Sequence, residues 1–396
     1  MSILDLPGQA WETIKGIGQE LKNAIMGKKE ALPHDIPKND GTNDKAIIGV
    51  LEVQLDDAIR KKAPYERAWF LNKAAILGNH WVDWDNANRT YNFDSQVYIP
   101  DWRVQHTDNQ LLKSYRKRLS KISSYSPKYV VTANSSETED IEASRLGTKI
   151  VLGFQQTGDW KLHKLDRTER QLQCGNVFVT FGWDVSKGKR IQGQEQTLYE
   201  GDVFDEVVDA FEIYCLAGSG PISNWTRMAR CRWVTIAKIK ALFPKTSAEL
   251  KPESQNTILK SMQSNIDSLS ASTDSGYVAQ EDNTDGAYLK YVWERRSSEY
   301  PKGRFIAYAN GILLADEEIP YIDLGDEFEF PFLHYTDLFV SGRTWAQAVI
   351  EQQLPVNRKL DELESDFIEF QKKAAKPKTF VAEGTIKENA ITDEPD

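Results

Sequence analysis

Between residues 356 and 374 an apolar series runs through Val356, Leu360, Leu363, Phe367, Phe370 and Ala374, in alternating steps of four and three. That spacing gathers them into one seam on one face of a helix. The other faces carry Lys359, Asp361, Glu362, Glu364, Asp366, Glu369, Lys372 and Lys373. A charged rod with one narrow apolar edge cannot bury that edge alone. It lies across its own domain's core, or it stands beside parallel neighbours from the same chain or from copies of it. The seam belongs to the longest helical pattern in the sequence, Gly342 to Pro377. Pro355 fits there as a first-turn residue or a kink, because a mid-helix proline costs about 3 kcal/mol. From there to Ala375 the helix would run roughly 30 Å.

The rest of the chain sets what such a rod can be attached to. Its 396 residues leave room for two or three domains at roughly 150 residues each. No apolar run reaches the ~18 residues a membrane span needs, and no secretory signal opens the chain. Cys174, Cys215 and Cys231 are far apart and odd in number, and read as reduced thiols of a cytosolic product. Eleven Trp, 15 Tyr and 16 Phe suit a mixed fold with large packed side chains, with sugar-binding platforms as the functional rival.

Taken in order, residues 9–26 read as an amphipathic helix followed by a polar, Gly- and Pro-containing linker, an arm that docks on this chain's body or on a neighbour. Helices are predicted over 44–62, ended by Pro64, and over 65–77, closed by Gly78. A turn-rich hairpin or loop follows. Residues 108–123 form a basic helix with Lys113, Arg116, Lys117, Arg118 and Lys121, either a solvated or partner-facing surface or a phosphate-binding face. Ser136 and Glu139 are spaced as a capping box opening a helix to about Gln156, and Asp166 with Glu169 repeats that spacing for a short helix before Cys174. Strands are predicted over 176–184, 190–199, 203–215 and 287–296. Short helices are predicted from Thr235 to Pro244 and over 253–269, and a polar stretch over 270–286. Asn310-Gly311 between two apolar runs predicts a type I′ hairpin. The order of elements is α+β rather than alternating βαβ.

Most catalytic signatures are missing. The sequence has no G-x-x-x-x-G-K-[ST] loop and no G-x-S-x-G elbow. The five histidines are scattered without metal-ligand spacing, and His80 and His163 read as core or surface residues. A glycosidase needs two carboxylates across a cleft, and Asp83 and Asp85 beside Trp81 and Trp84 are where such a pair would sit. Neither a cofactor nor a metal is expected, and the chain reads as non-enzymatic.

Several blocks, in order, resemble the portal proteins of tailed bacteriophages, particularly the short-tailed type. They are RAWFLNKAAILGNHW (67–81), SSETEDIEASRLGTKIVLGF (135–154), LQCGNVFVTFGWDVSKG (172–188) and YPKGRFIAYANGILLADEEIP (300–320). FPFLHY and the long helix with Gln353, Pro355 and Asn357 then resemble the family's stem, and Lys376-Pro377 the start of its clip. The resemblance implies an N-terminal arm and linker at 1–64, a wing of helices and antiparallel strands at 65–341, a stem helix at 342–377 and the start of the clip at 378–396. The family's return stem and crown have no counterpart before Asp396.

It further implies a homo-oligomeric ring of about twelve copies at one capsid vertex of a virion assembled in the host cytoplasm. Double-stranded DNA passes through that ring without sequence-specific contacts. The terminase large subunit, head–tail adaptor proteins and the major capsid protein are the implied partners. A formal charge of −10 per copy suits a channel that must not grip DNA. Lys372, Lys373, Lys376 and Lys378 are the exception, either complementing a helix C-terminus or forming a ring of weak phosphate contacts. The alternatives from other classes are another virion adaptor or tail component and a Trp-rich glycoside hydrolase.

Overall fold

The computed structural model describes residues 36–37, 39, 43–85, 90–92, 103–125, 129–157, 160–184, 188, 190–191, 198–253, 285–297, 300–319 and 330–375. The helix predicted over 9–26, all but the first residue of the one predicted over 253–269, the clip segment 378–396, and Lys376 and Lys378 lie outside them.

Helix α1 (Asp44–Ile76) is 33 residues long and contains Pro64. The sequence pattern placed a break there, and it placed the longest helix elsewhere. Packing overrides the proline. Ile47, Leu51, Leu55 and Ile59 are buried before it, and Trp69, Phe70, Ala74 and Ala75 after it. Each large apolar side chain buried contributes about 1.5–3 kcal/mol, so together they exceed the ~3 kcal/mol proline penalty. The helix ends where expected, with Gly78 at φ +94° and the Asn79 N–H on the Ala74 carbonyl, 2.9 Å.

Next come a short hairpin, β1 (Asp83–Asp85) and β2 (Thr90–Asn92), and the basic helix α2 (Gln110–Ser124), capped by the Asn109 side chain. Helix α3 spans Thr138–Thr157 and α4 spans Trp160–Cys174. Neither starts from its anticipated box. Ser135, not Ser136, makes the local bonds at the start of α3, accepting from the Glu137 N–H and bonding Asp140. Asp166 lies inside α4 and pairs with Arg170 one turn on, 2.8 Å.

The remaining strands are all antiparallel, and the chain is α+β. They are β3 (Asn176–Asp184), β4 (Arg190–Ile191), β5 (Leu198–Tyr199), β6 (Asp202–Asp209), β7 (Ile213–Ala217), β8 (Arg227–Thr235), β9 (Gly286–Glu294), β10 (Arg304–Ala309), β11 (Ile312–Glu318) and β12 (Phe332–Thr336). One sheet has the order β11-β10-β9-β8-β7, a second the order β12-β3-β6, and β4 pairs with β5. The β10–β11 turn is the predicted one, with Asn310 at φ 43° and Gly311 at φ 75°. Sequence patterning missed two strands, β12 and β8. Arginines hid β8: Arg227 and Arg230 are buried, each held by carboxylates, Glu294 for the first and Glu206 and Glu212 for the second.

Both faces of the five-stranded sheet are covered. The first half of α1 packs on Tyr214, Ala229, Tyr288, Val292 and Ile306. The short helix α5 (Ile236–Leu242) sits with Ala287, Leu289, Ala307 and Leu314. A third cluster joins the two sheets through Trp69, Phe178, Trp225, Trp293, Phe332 and Trp345. Much of the aromatic content is therefore core. At its edge Lys62 is buried, its Nζ 2.8 Å from Glu66, 2.9 Å from the Phe211 carbonyl and 3.8 Å from the Tyr214 ring centroid. Burial holds its pKa below the usual lysine range, against the opposing pull of Glu66.

Candidate functional site: the long helix and what anchors it

Helix α6 (Val349–Ala375) has 27 residues and begins seven positions later than Gly342. Residues before it fold into a turn, with Gly342 at φ +78° and Leu338 bridging Gln347. Pro355 is therefore interior, beyond the first turn. The start of the helix is built into the body. The Asp337 carboxylate accepts the Val349 N–H at 3.0 Å and is gripped by Arg118 through two nitrogens at 2.7 and 3.2 Å. A carboxylate at this end also complements the helix dipole. Gly175 packs so tightly here that a Cβ would stand 2.6 Å from the Ala348 nitrogen. Asn176 completes the joint, accepting from the Ala346 N–H and His334 and donating to the Ala346 and Cys174 carbonyls.

Further along, the face of α6 that meets the body is polar. Asn357, Asp361 and Ser365 are buried, one turn apart. Against them runs the extended segment 103–108. Its Asp108, His106 and Val104 N–H groups donate to Asp361 (2.9 Å), Ser365 (2.9 Å) and Glu369 (3.0 Å). Two extended residues advance about 6.6 Å and four helical residues about 6.0 Å, so alternate backbone amides match successive helical turns. The stripe satisfies amides that a strand without a sheet partner would leave unpaired.

His80 is the deepest part of this joint. Its Nδ1 lies 2.6 Å from Asp361 Oδ2 and its Nε2 3.0 Å from the Ala75 carbonyl. Both of these partners are hydrogen-bond acceptors, and the Asn357 amide nitrogen also lies 3.2 Å from Nδ1. Asn357 donates to Asp361 and to the Asp108 carbonyl, each at 3.1 Å. Arg358 reaches the Val82 carbonyl at 2.9 Å. Sequence reading found none of this network. Its signal was present: Asn357, Asp361, Ser365 and Glu369 recur every fourth residue.

The apolar seam points the other way. Val356 is 71% exposed, Leu363 58%, Phe367 60% and Phe370 68%. Leu360 is half-buried and Ala374 exposed. A second set of exposed apolar side chains lies on α3 and α4, at Leu146, Ile150, Leu162 and Leu165. Lys372 and Lys373 are exposed in the last turn of α6, with Lys373 3.9 Å from Glu369.

Other sequence candidates are placed as follows. Asp83 and Asp85 are two apart on β1, so the backbone puts them on one sheet face. His163 pairs with Asp205 at 2.9 Å. Cys174, Cys215 and Cys231 are free thiols, and burial pushes each up to about 12. Among the described residues no three His, Cys, Asp or Glu side chains cluster as metal ligands, and no helix is long and apolar enough to cross a membrane. Compared with known proteins, the chain matches no family model and no curated protein sequence.

Proposed function

We propose that this chain is a non-enzymatic portal subunit of a tailed bacteriophage, with α6 as the stem helix of a ring. One observation carries the reading: α6 is fastened to its own body by a polar stripe while its apolar heptad seam faces solvent. That arrangement leaves the seam for another copy. In heptad terms Leu360, Phe367 and Ala374 take a positions, and Val356, Leu363 and Phe370 take d positions.

The flanking charges favour neighbours pointing the same way. A parallel partner sets Lys359 against Glu364. An antiparallel one sets Lys359 against Lys373, Asp366 against Asp366 and Glu364 against Glu364. Rotation about an axis parallel to the helices produces parallel neighbours, as in a cyclic ring. The second exposed set on α3 and α4 suits a head-to-tail contact, which joins two different surfaces. The colinear blocks from 67 to 320 and the acidic net charge agree with a DNA conduit.

In this role the ring passes double-stranded DNA, and terminase, adaptor and capsid proteins dock on it. Native mass spectrometry of the purified protein tests the reading. A closed ring of about twelve copies is expected. A monomer at micromolar concentration, or an antiparallel dimer, overturns it.

A further inference from the structure

The outward face of α2 has no role in the fold or in the ring reading. Lys113, Arg116, Lys117, Ser120, Lys121 and Ser124 are all exposed. At about 100° per residue they share one arc of the helix. The opposite side is buried through Leu111 and Tyr115. Arg118, on the flank, is used up by Asp337. Residues 110–124 contain no carboxylate, in a chain of 59 acidic and 49 basic residues. Among the described residues none of the four outward cations has a carboxylate partner, and Lys113 only donates to Gln110, 3.0 Å.

We propose that this face of α2 binds the phosphate backbone of duplex nucleic acid without reading sequence. The four cations and the Ser120 hydroxyl are hydrogen-bond donors suited to a phosphate oxygen, while the Ser124 hydroxyl donates to the Lys121 carbonyl at 3.0 Å. Lys113 to Lys121 spans about 12 Å of helix. Duplex DNA presents one charge per ~1.7 Å of axis, so about seven phosphate charges lie along that length. A protein partner fits less well. Interface centres are depleted in lysine and need an apolar anchor, and this arc has none. A bilayer surface fits less well too, because the apolar side that would insert is already buried under the body. The inference stands on α2 alone and does not require a ring.

Fluorescence anisotropy of the full chain with a labelled duplex of about 20 base pairs tests it. Four phosphate contacts predict a slope of log K on log salt near −3.6, a loss of about 150-fold between roughly 50 and 200 mM. Lys113→Gln, Arg116→Gln, Lys117→Gln and Lys121→Gln combined should cut the magnitude of the slope by nearly four and weaken binding roughly 100-fold. The same change at the exposed Lys240, Lys245, Lys251 and Lys302 should leave binding within about twofold. No binding at ~50 mM salt overturns the proposal, as does equal weakening by the control set. So does polyglutamate competing as well as unlabelled duplex at equal charge, which would assign the face to an acidic protein. Ring formation is read separately by mass, so each idea can fail without the other.

Discussion

His80 Nδ1 and Asp361 Oδ2 meet 2.6 Å apart across 281 residues of sequence, each side chain only 1% exposed. The pair ties the end of α1 to the middle of α6, and Asp361 also takes the Asp108 N–H and the Asn357 amide. Asp361→Ala strands a buried imidazole and two donors. A loss of about 3–5 kcal/mol is expected in urea unfolding. Glu362→Ala, on the exposed side of the same turn, should stay within about 0.5 kcal/mol. Equal effects would mean that the helix is not held through this joint.

Charging the seam should act on assembly and leave the fold intact. Leu363→Lys with Phe367→Lys replaces side chains that are 58% and 60% exposed. Thermal unfolding of the monomer should shift by no more than a few degrees. If the proposed ring forms, native mass should show it replaced by single chains in this variant. A Lys359→Glu, Glu364→Lys exchange should assemble, whereas Lys359→Glu alone should weaken assembly by about 0.5 kcal/mol per contact.

Lys62 and Glu66 are buried together, so removing one leaves the other uncompensated. Lys62→Met is expected to cost about 3–5 kcal/mol, and Lys62→Met with Glu66→Leu to recover most of it. The lowered Lys62 pKa sets a sign at high pH. The unfolded chain holds the proton more tightly, so the penalty for burying the charge is fully present below the folded pKa. It is relieved as pH rises from there towards 10.5. The double variant should lack that alkaline gain in denaturant midpoints.

His334 stacks on Phe178, with centroids 4.4 Å apart and planes at 4°, and its burial holds its pKa down at about 4. In the unfolded chain it titrates near 6.5. Stability contributed by the neutral ring is therefore intact above 6.5 and lost as pH falls towards 4, by up to about 3 kcal/mol. His334→Gln should flatten this part of the stability–pH curve. An unchanged slope between pH 4 and 6.5 would show that another group carries it.

Gly175→Ala forces a methyl into the start of α6, where the Ala348 nitrogen and the Gln347 carbonyl carbon lie 2.6 Å from the Cβ position, and φ is +72°. About 2 kcal/mol or more should be lost, since neither backbone can yield cheaply. Gly311→Ala, with open space around it, should show only the smaller cost of a positive φ, about 1 kcal/mol.

Much of the local structure was legible because its causes are local. Alternation marked β3, Asn310-Gly311 set the β10–β11 turn, and Gly78 closed α1. Failures came where distant packing outweighed local preference. Pro64 continues as helix because Trp69 and Phe70 find a core. Strand β8 hides behind arginines whose carboxylates lie on other strands and on the 210–212 turn.

The sequence alone determined that α6 would have one apolar edge, since steps of four and three permit only one face. It did not determine which side the body would use. Only the folded chain brings His80 and the amides of 103–108 alongside Asn357, Asp361 and Ser365. Those groups lie some 250 residues or more away along the chain, and no local pattern encodes a hydrogen-bond partner at that distance. The polar stripe therefore faces inward, and the apolar edge is left to water or to another molecule.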